Sequence, residues 1–104
     1  MGLFSAIFGK TDNSQLSEAI KNGAFLVDVR TPDEFSAGSV KGAVNIPLDK
    51  VPMELPKFKG KKNIVVFCRS GNRSGQAKSI LEHNGFQNVI NGGTWENVNQ
   101  LVNE

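Results

Sequence analysis

The stretch Asn63-Ile-Val-Val-Phe-Cys-Arg-Ser-Gly-Asn-Arg-Ser74 constrains this chain more than any other. Ile64 to Phe67 is a β-branched and aromatic run with no polar residue, the pattern of a strand buried on both faces. It ends directly on Cys68, the only cysteine in the protein. Arg69, Ser70, Gly71, Asn72, Arg73 and Ser74 are too rich in turn formers to extend the strand, and Gln76 to His83 then has helical spacing. A strand, a tight loop and a helix start in succession aim several backbone N–H groups and the positive end of a helix dipole at one point. Arg69 and Arg73 add two guanidinium groups. Cys68 sits where an anion would be held, so its thiol pKa is expected to fall and its thiolate to be nucleophilic near neutral pH. A lone cysteine after an apolar run is otherwise a small buried hydrophobe. Two arginines and a glycine within the next five residues have no use in a core, and they favour the reactive reading.

The remaining chain alternates helical and strand patterns. Residues 1 to 13 read as an arm or first strand, with 1–10 outside the domain core and 11–104 inside it. Ser14 is expected to cap a helix whose buried face is Leu16, Ala19 and Ile20, ended by Asn22-Gly23. Ala24 to Val29 is a strand covered on both faces, interrupted only by Asp28. Thr31 caps a short helix that opens on Pro32 and stops at Gly38, with Arg30 and Glu34 read as a local ion pair. Ala43 to Pro47 is a short strand, Leu48 to Lys57 is helical in part, and Gly60 to Asn63 is a turn. After the cysteine loop, Ala77, Ile80 and Leu81 mark a buried helix face that stops at Asn84-Gly85. Val89-Ile90 is the last strand, Asn91-Gly-Gly93 a turn, and Trp95 to Val102 a final helix with Trp95 in the core. Strands alternating with helices imply an α/β fold with a central parallel sheet and helices on both faces. In such sheets the reactive edge lies at the carboxyl ends of the strands. Cys68 and the segment Asp28-Val-Arg30 are therefore expected on the same edge.

Composition narrows the function classes. A length of 104 residues supports one domain and one core. Twelve Lys and Arg against ten Asp and Glu leave a net charge of +2, too little to imply a nucleic-acid or membrane partner. The useful positive charge is local to Cys68, which suits a small anionic substrate. One cysteine rules out an internal disulfide, and with His83 as the only histidine there is no Cys/His metal cluster. No apolar stretch reaches the length of a membrane span. Met1 to Phe8 is apolar but lacks the basic start and cleavage site of a leader, and Ala6 stands where a myristoylation signal needs Ser or Thr. A cytoplasmic protein is expected, with Leu3, Phe4, Ile7 and Phe8 available for docking or dimerisation.

Asp28-Val-Arg30, Glu34-Phe35, Gly42-Ala-Val-Asn-Ile-Pro47, Cys68-Arg-Ser-Gly-Asn-Arg-Ser74, Asn84-Gly-Phe86 and Asn91-Gly-Gly93 resemble, in order and spacing, the single-domain rhodaneses. The resemblance covers roughly residues 11 to 104. It implies the rhodanese-like three-layer fold and a sulfurtransferase in which Cys68 takes a sulfane sulfur from thiosulfate or a similar donor. The persulfide then passes sulfur to cyanide, a thiol or a partner protein. It also implies that Arg69 to Ser74 form the cradle, with Ser74 capping the helix, and that Asp28, with Arg30 beside it, stands behind the loop and holds it. No metal or organic cofactor is implied. The chain departs from the pattern at Ser39, where many relatives carry histidine, and at Trp95, which lies closer to the glycine pair than the usual tryptophan.

Two rival functions remain. The cell-cycle dual-specificity phosphatases resemble this chain in using a cysteine loop, but theirs places arginine after five intervening residues. Here four residues separate Cys68 from Arg73, a smaller cradle suited to one sulfur atom. An arsenate reductase would want a resolving thiol, which this chain lacks. The second rival is a persulfide carrier or docking module that acts on a partner protein.

Overall fold

The computed structural model describes residues 11–104, and the expected arm with its apolar Leu3, Phe4, Ile7 and Phe8 lies outside them. In chain order the elements are α1 (Thr11–Lys21), β1 (Phe25–Asp28), α2 (Pro32–Ala37), β2 (Val44–Asn45), two 3₁₀ turns (Leu48–Met53 and Leu55–Phe58), β3 (Ile64–Cys68), α3 (Asn72–His83), β4 (Val89–Thr94) and α4 (Trp95–Val102). The four strands form one sheet in the order β2-β1-β3-β4, with every neighbouring pair parallel.

β3 is central because all five of its residues are buried. Side chains alternate across a strand, and the two faces of β3 enter two separate cores. Ile64, Val66 and Cys68 join Val27, Val29, Ile46, Val51, Phe58, Ala77 and Leu81, beneath α3 and the 3₁₀ turns. Val65 and Phe67 join Leu16, Ala19, Val40 and Val98, beneath α1 and α4. Helices thus cover both faces, giving the expected α/β three-layer arrangement. Phe58 sits edge-on between Phe25 and Phe86, closing the first core at the amino end of the sheet.

Three boundaries differ from the sequence reading. α1 begins at Thr11, so Ser14 lies within the helix and does not cap it. The polar run Thr11-Asp-Asn-Ser14 offers several residues with cap chemistry, whereas the apolar spacing fixes only Leu16 to Ile20. α3 begins at Asn72, which places Arg73 and Ser74 in its first turn and leaves only Arg69, Ser70 and Gly71 as loop. Asn91-Gly-Gly93 is strand and not turn, because β3 supplies a partner along its whole length. The register steps from Val66 opposite Asn91 to Phe67 opposite Gly93, so Gly92 is the extra residue of a bulge. A Cβ at Gly92 would stand 2.7 Å from Val98 Cγ2 and 3.0 Å from Val65 Cγ1, so packing here requires glycine.

Other expectations agree with the structure. Thr31 caps α2 in a capping box: its hydroxyl accepts the Glu34 N–H, and the Glu34 carboxylate accepts the Thr31 N–H. Pro32 opens the helix and Gly38 closes it. The final helix runs from Trp95 to Val102 as expected; the structure adds that Thr94 caps it and that its Val98 is fully buried.

Candidate active site

All four strands run the same way, so their carboxyl ends, Asp28, Asn45, Cys68 and Thr94, share one edge. Cys68 points from that edge into the start of α3, and its surface is wholly covered. The chain turns back over the sulfur at Gly71, whose φ of 96° lies in the left-handed region open to glycine. That turn brings three groups onto Sγ. The Gly71 N–H donates at 3.0 Å, the Ser74 N–H at 3.4 Å, and the Ser74 hydroxyl lies at 3.5 Å. Burial, the largest single influence, pushes the Cys68 thiol pKa up. The Ser74 hydroxyl and the N–H groups of Ser74, Ser70 and Gly71 together outweigh it, and the pKa falls below the ordinary thiol value. The sulfur is thus buried where the backbone N–H groups of a helix N-terminus would stabilise negative charge on it, which makes it a candidate nucleophile.

The six residues after Cys68 lie at one site but do unlike things. Ser74 is fully buried in the first turn of α3 and does not cap the helix, since Gly71 occupies the cap position without a side-chain bond. Its hydroxyl instead donates to Asn91 Oδ1 at 2.7 Å. Arg69, Ser70 and Asn72 are exposed. Among the described residues the Arg69 guanidinium has no ion-pair partner. Arg73 does have one, and it is not Cys68. Its Nη1 and Nη2 donate to the two carboxylate oxygens of Glu34 at 2.8 and 3.1 Å, a bidentate pair that ties α3 to α2. Glu34 was expected to pair with Arg30, its near neighbour. Pairing with Arg73, aided by the Thr31 N–H, pulls the Glu34 carboxyl down from 4.5 to about 2.

Arg30 takes a different partner because its side chain turns inward. It donates from Nε and Nη2 to the Asp28 carboxylate at 2.7 to 3.0 Å, and from Nη2 to the Gly38 carbonyl at 2.7 Å. Its guanidinium also lies 5.1 Å from the ring centre of Trp95. Asp28 accepts in addition from the Arg30 N–H at 3.0 Å and the Ser39 hydroxyl at 2.7 Å. No side-chain bond runs from Asp28 or Arg30 to residues 69–74. The expectation that Asp28 holds the loop is corrected: it holds Arg30 and Ser39. With Asp28 fully buried and Arg30 5% exposed, their charges can persist only as a pair.

Two asparagines complete the edge; both lie in segments that carry the family resemblance, but the sequence assigned neither a role. Asn45 Nδ2 donates to the carbonyls of Asp28 and Arg30, closing the end of β1. Asn91 Nδ2 donates to the Gly71 carbonyl, and its Oδ1 accepts from Ser74 and from the Gly93 N–H. An Asn-Gly-Gly run reads as a turn, and only the depth of β4 in the sheet brings Asn91 to the loop. Among the described residues no cluster of three His, Cys, Asp or Glu side chains is placed to hold a metal ion, and no helix is long and apolar enough to cross a membrane.

The chain has relatives among known proteins. The family model for the rhodanese-like domain matches residues 12–96. A sulfurtransferase of Allochromatium vinosum is 33% identical over 82 residues, which cover 77% of each chain. A thiosulfate sulfurtransferase of Escherichia coli is 41% identical over 69 residues, 64% of this chain and 66% of that one. A human single-domain sulfurtransferase superposes with a TM-score of 0.68 at 27% identity, over 88% of this chain and 93% of the other. Similarity also reaches a longer protein, a tRNA uridine(34) hydroxylase of Cronobacter sakazakii. It is 38% identical over 70% of this chain but only 23% of its own length.

Proposed function

This chain belongs to the rhodanese-like domain family, and from that premise we propose that it transfers sulfane sulfur from a small anionic donor such as thiosulfate through a Cys68 persulfide. One observation carries the proposal: the N–H groups of Gly71 and Ser74 and the Ser74 hydroxyl converge on a single buried sulfur atom. In the first step the Cys68 thiolate attacks the outer sulfur of thiosulfate. A sulfur–sulfur bond forms to Sγ, the bond to the sulfonate sulfur breaks, and sulfite leaves with the electron pair. The negative charge now rests on the outer sulfur of the persulfide. In the second step cyanide or a thiolate attacks that sulfur, giving thiocyanate or a new persulfide and restoring the Cys68 thiolate.

The geometry supports a role for each group. Backbone donors at the start of α3 stabilise negative sulfur, as fixed dipoles do at an oxyanion site. Arg69, exposed on the loop, meets the anionic donor. Arg73 contributes its charge from a fixed position, since Glu34 already occupies its hydrogen-bonding face. With one cysteine the chain needs no oxidising compartment to complete its fold, and the cytoplasm is the setting proposed for it.

Mixing the protein with thiosulfate and cyanide tests the function. Thiocyanate should form, and Cys68→Ala should abolish it. Sulfur loading without thiocyanate would instead point to a carrier that discharges only to a partner protein. Release of phosphate from an aryl phosphate at a useful rate would replace this reading with that of a phosphatase.

A further inference from the structure

Asn91 faces the cysteine loop from β4, and both ends of its amide are engaged. Nδ2 donates to the Gly71 carbonyl at 3.1 Å, and Oδ1 accepts from the Gly93 N–H at 2.9 Å and from the Ser74 hydroxyl at 2.7 Å. The two backbone partners have opposite polarity, so they fix which end of the amide is oxygen. A flipped amide would set oxygen against the Gly71 carbonyl and N–H against the Gly93 N–H. With the amide fixed, only the Ser74 proton can make the 2.7 Å bond. A hydroxyl has one proton. The Cys68 sulfur, 3.5 Å from the same oxygen, competes for it.

The protonation state of Cys68 decides that competition. While Cys68 is a thiol, its S–H donates to Ser74 Oγ, the Ser74 proton points at Asn91, and every group is satisfied. Once it ionises, the thiolate gains the hydroxyl only if the proton turns away from Asn91. The backbone N–H groups of Gly71 and Ser74 stabilise the thiolate in either case, and the hydroxyl adds its own lowering of the pKa only to the extent that its proton leaves Asn91. We propose that Asn91 is a positioning residue that holds the Ser74 hydroxyl proton away from Cys68, biasing the resting cysteine toward the thiol. The inference rests on the sulfurtransferase reading only in taking Cys68 as the nucleophile. In a persulfide the charge moves to the outer sulfur, and the hydroxyl is free to return to Asn91.

Charged groups around the sulfur are Arg69 and Arg73 on its own loop and helix, and Glu34 acting through Arg73. Asp28 and Arg30 stand at the end of β1, and Lys78 shares a surface cleft with Asn91. An uncharged substitution at position 91 leaves all of them in place. The full chain has one cysteine and no tyrosine, so the ultraviolet thiolate absorbance reports Cys68 free of tyrosinate interference. In a pH titration of that absorbance, Asn91→Ala should move the midpoint to lower pH, raising the thiolate fraction below the midpoint roughly threefold. In a Ser74→Ala background the same substitution should produce no downward shift. An upward shift, or an equal downward shift without the hydroxyl, overturns the proposal. Should Asn91→Ala not fold, Asn91→Asp offers the hydroxyl a stronger acceptor and should move the midpoint up. Part of that rise must disappear when Ser74 is Ala, and an identical rise in both backgrounds refutes the idea. Sulfur loading is not part of this readout, so an enzyme that never forms a persulfide would show the same coupling and fail separately.

Discussion

The ends of β1 and β3 lie side by side on one edge of the sheet, yet they use polar groups in opposite ways. At β1, Asp28, Arg30, Ser39 and the Gly38 carbonyl satisfy one another, and Trp95 covers the guanidinium. At β3, the polar groups of Gly71 and Ser74 converge on a sulfur that can carry or lose a negative charge. A closed network of buried charge stabilises a shape, whereas donors gathered around one ionisable atom stabilise a change of charge. Proximity to the reactive edge is therefore not evidence of chemistry. What distinguishes the two regions is whether their hydrogen-bonding capacity is already spent.

Mutations at the two ends should separate stability from chemistry. The largest effect on folding is expected at β1. Asp28→Ala strands the buried Arg30 charge and should cost about 3–5 kcal/mol, read from denaturant midpoints. A loss under ~1 kcal/mol would show that the network is not a structural unit. Next comes the strand that supports the loop from the other side. Gly92→Ala drives a methyl group into Val98 and Val65 and should cost about 1–3 kcal/mol by the same measurement.

Arg73→Ala should invert this pattern. Removing a positive charge held near the sulfur is expected to lower kcat/KM with thiosulfate about tenfold, through the local field rather than through a direct bond to the donor. Stability should change by less than ~1 kcal/mol, because the pair with Glu34 is only partly buried. Unchanged thiosulfate kinetics would leave Arg73 a purely structural strut.

The smallest effect belongs to Glu34, which joins the two regions. Its folded-state pKa lies below the unfolded value, so the stability it contributes is fully present above about 4.5 and is lost as pH falls toward about 2. Glu34→Gln should remove that acid-dependent component while leaving stability at neutral pH within ~1 kcal/mol of the parent. A stability profile over pH 2–5 that keeps its slope in the variant would assign the acid sensitivity elsewhere.

Sequence patterns carried the layered sheet, the strand-end edge shared by Asp28 and Cys68, and the cysteine loop because each depends on local signals. β3 announces itself by the unbroken apolar run Ile64 to Phe67, and α2 by Thr31, Pro32 and Gly38. Partners that meet across the fold were less legible. Arg30 and Glu34 have spacing for a local pair, but Arg30 is drawn inward by Asp28 and Trp95, and Glu34 reaches Arg73, 39 positions away. Ser74 has the chemistry of a helix cap, yet α3 begins before it and turns it onto Cys68 and Asn91. Asn91 is visible in the sequence only as part of an Asn-Gly-Gly segment that reads as a turn. Its role depends on β3 pairing with β4 through a bulge, a contact between segments more than twenty residues apart.

The most direct test of the account is the intact mass of the purified protein after exposure to thiosulfate and removal of excess donor. Cys68 should gain one sulfur atom, discharged by cyanide and absent from Cys68→Ala. No gain, or a gain that persists in Cys68→Ala, would contradict it.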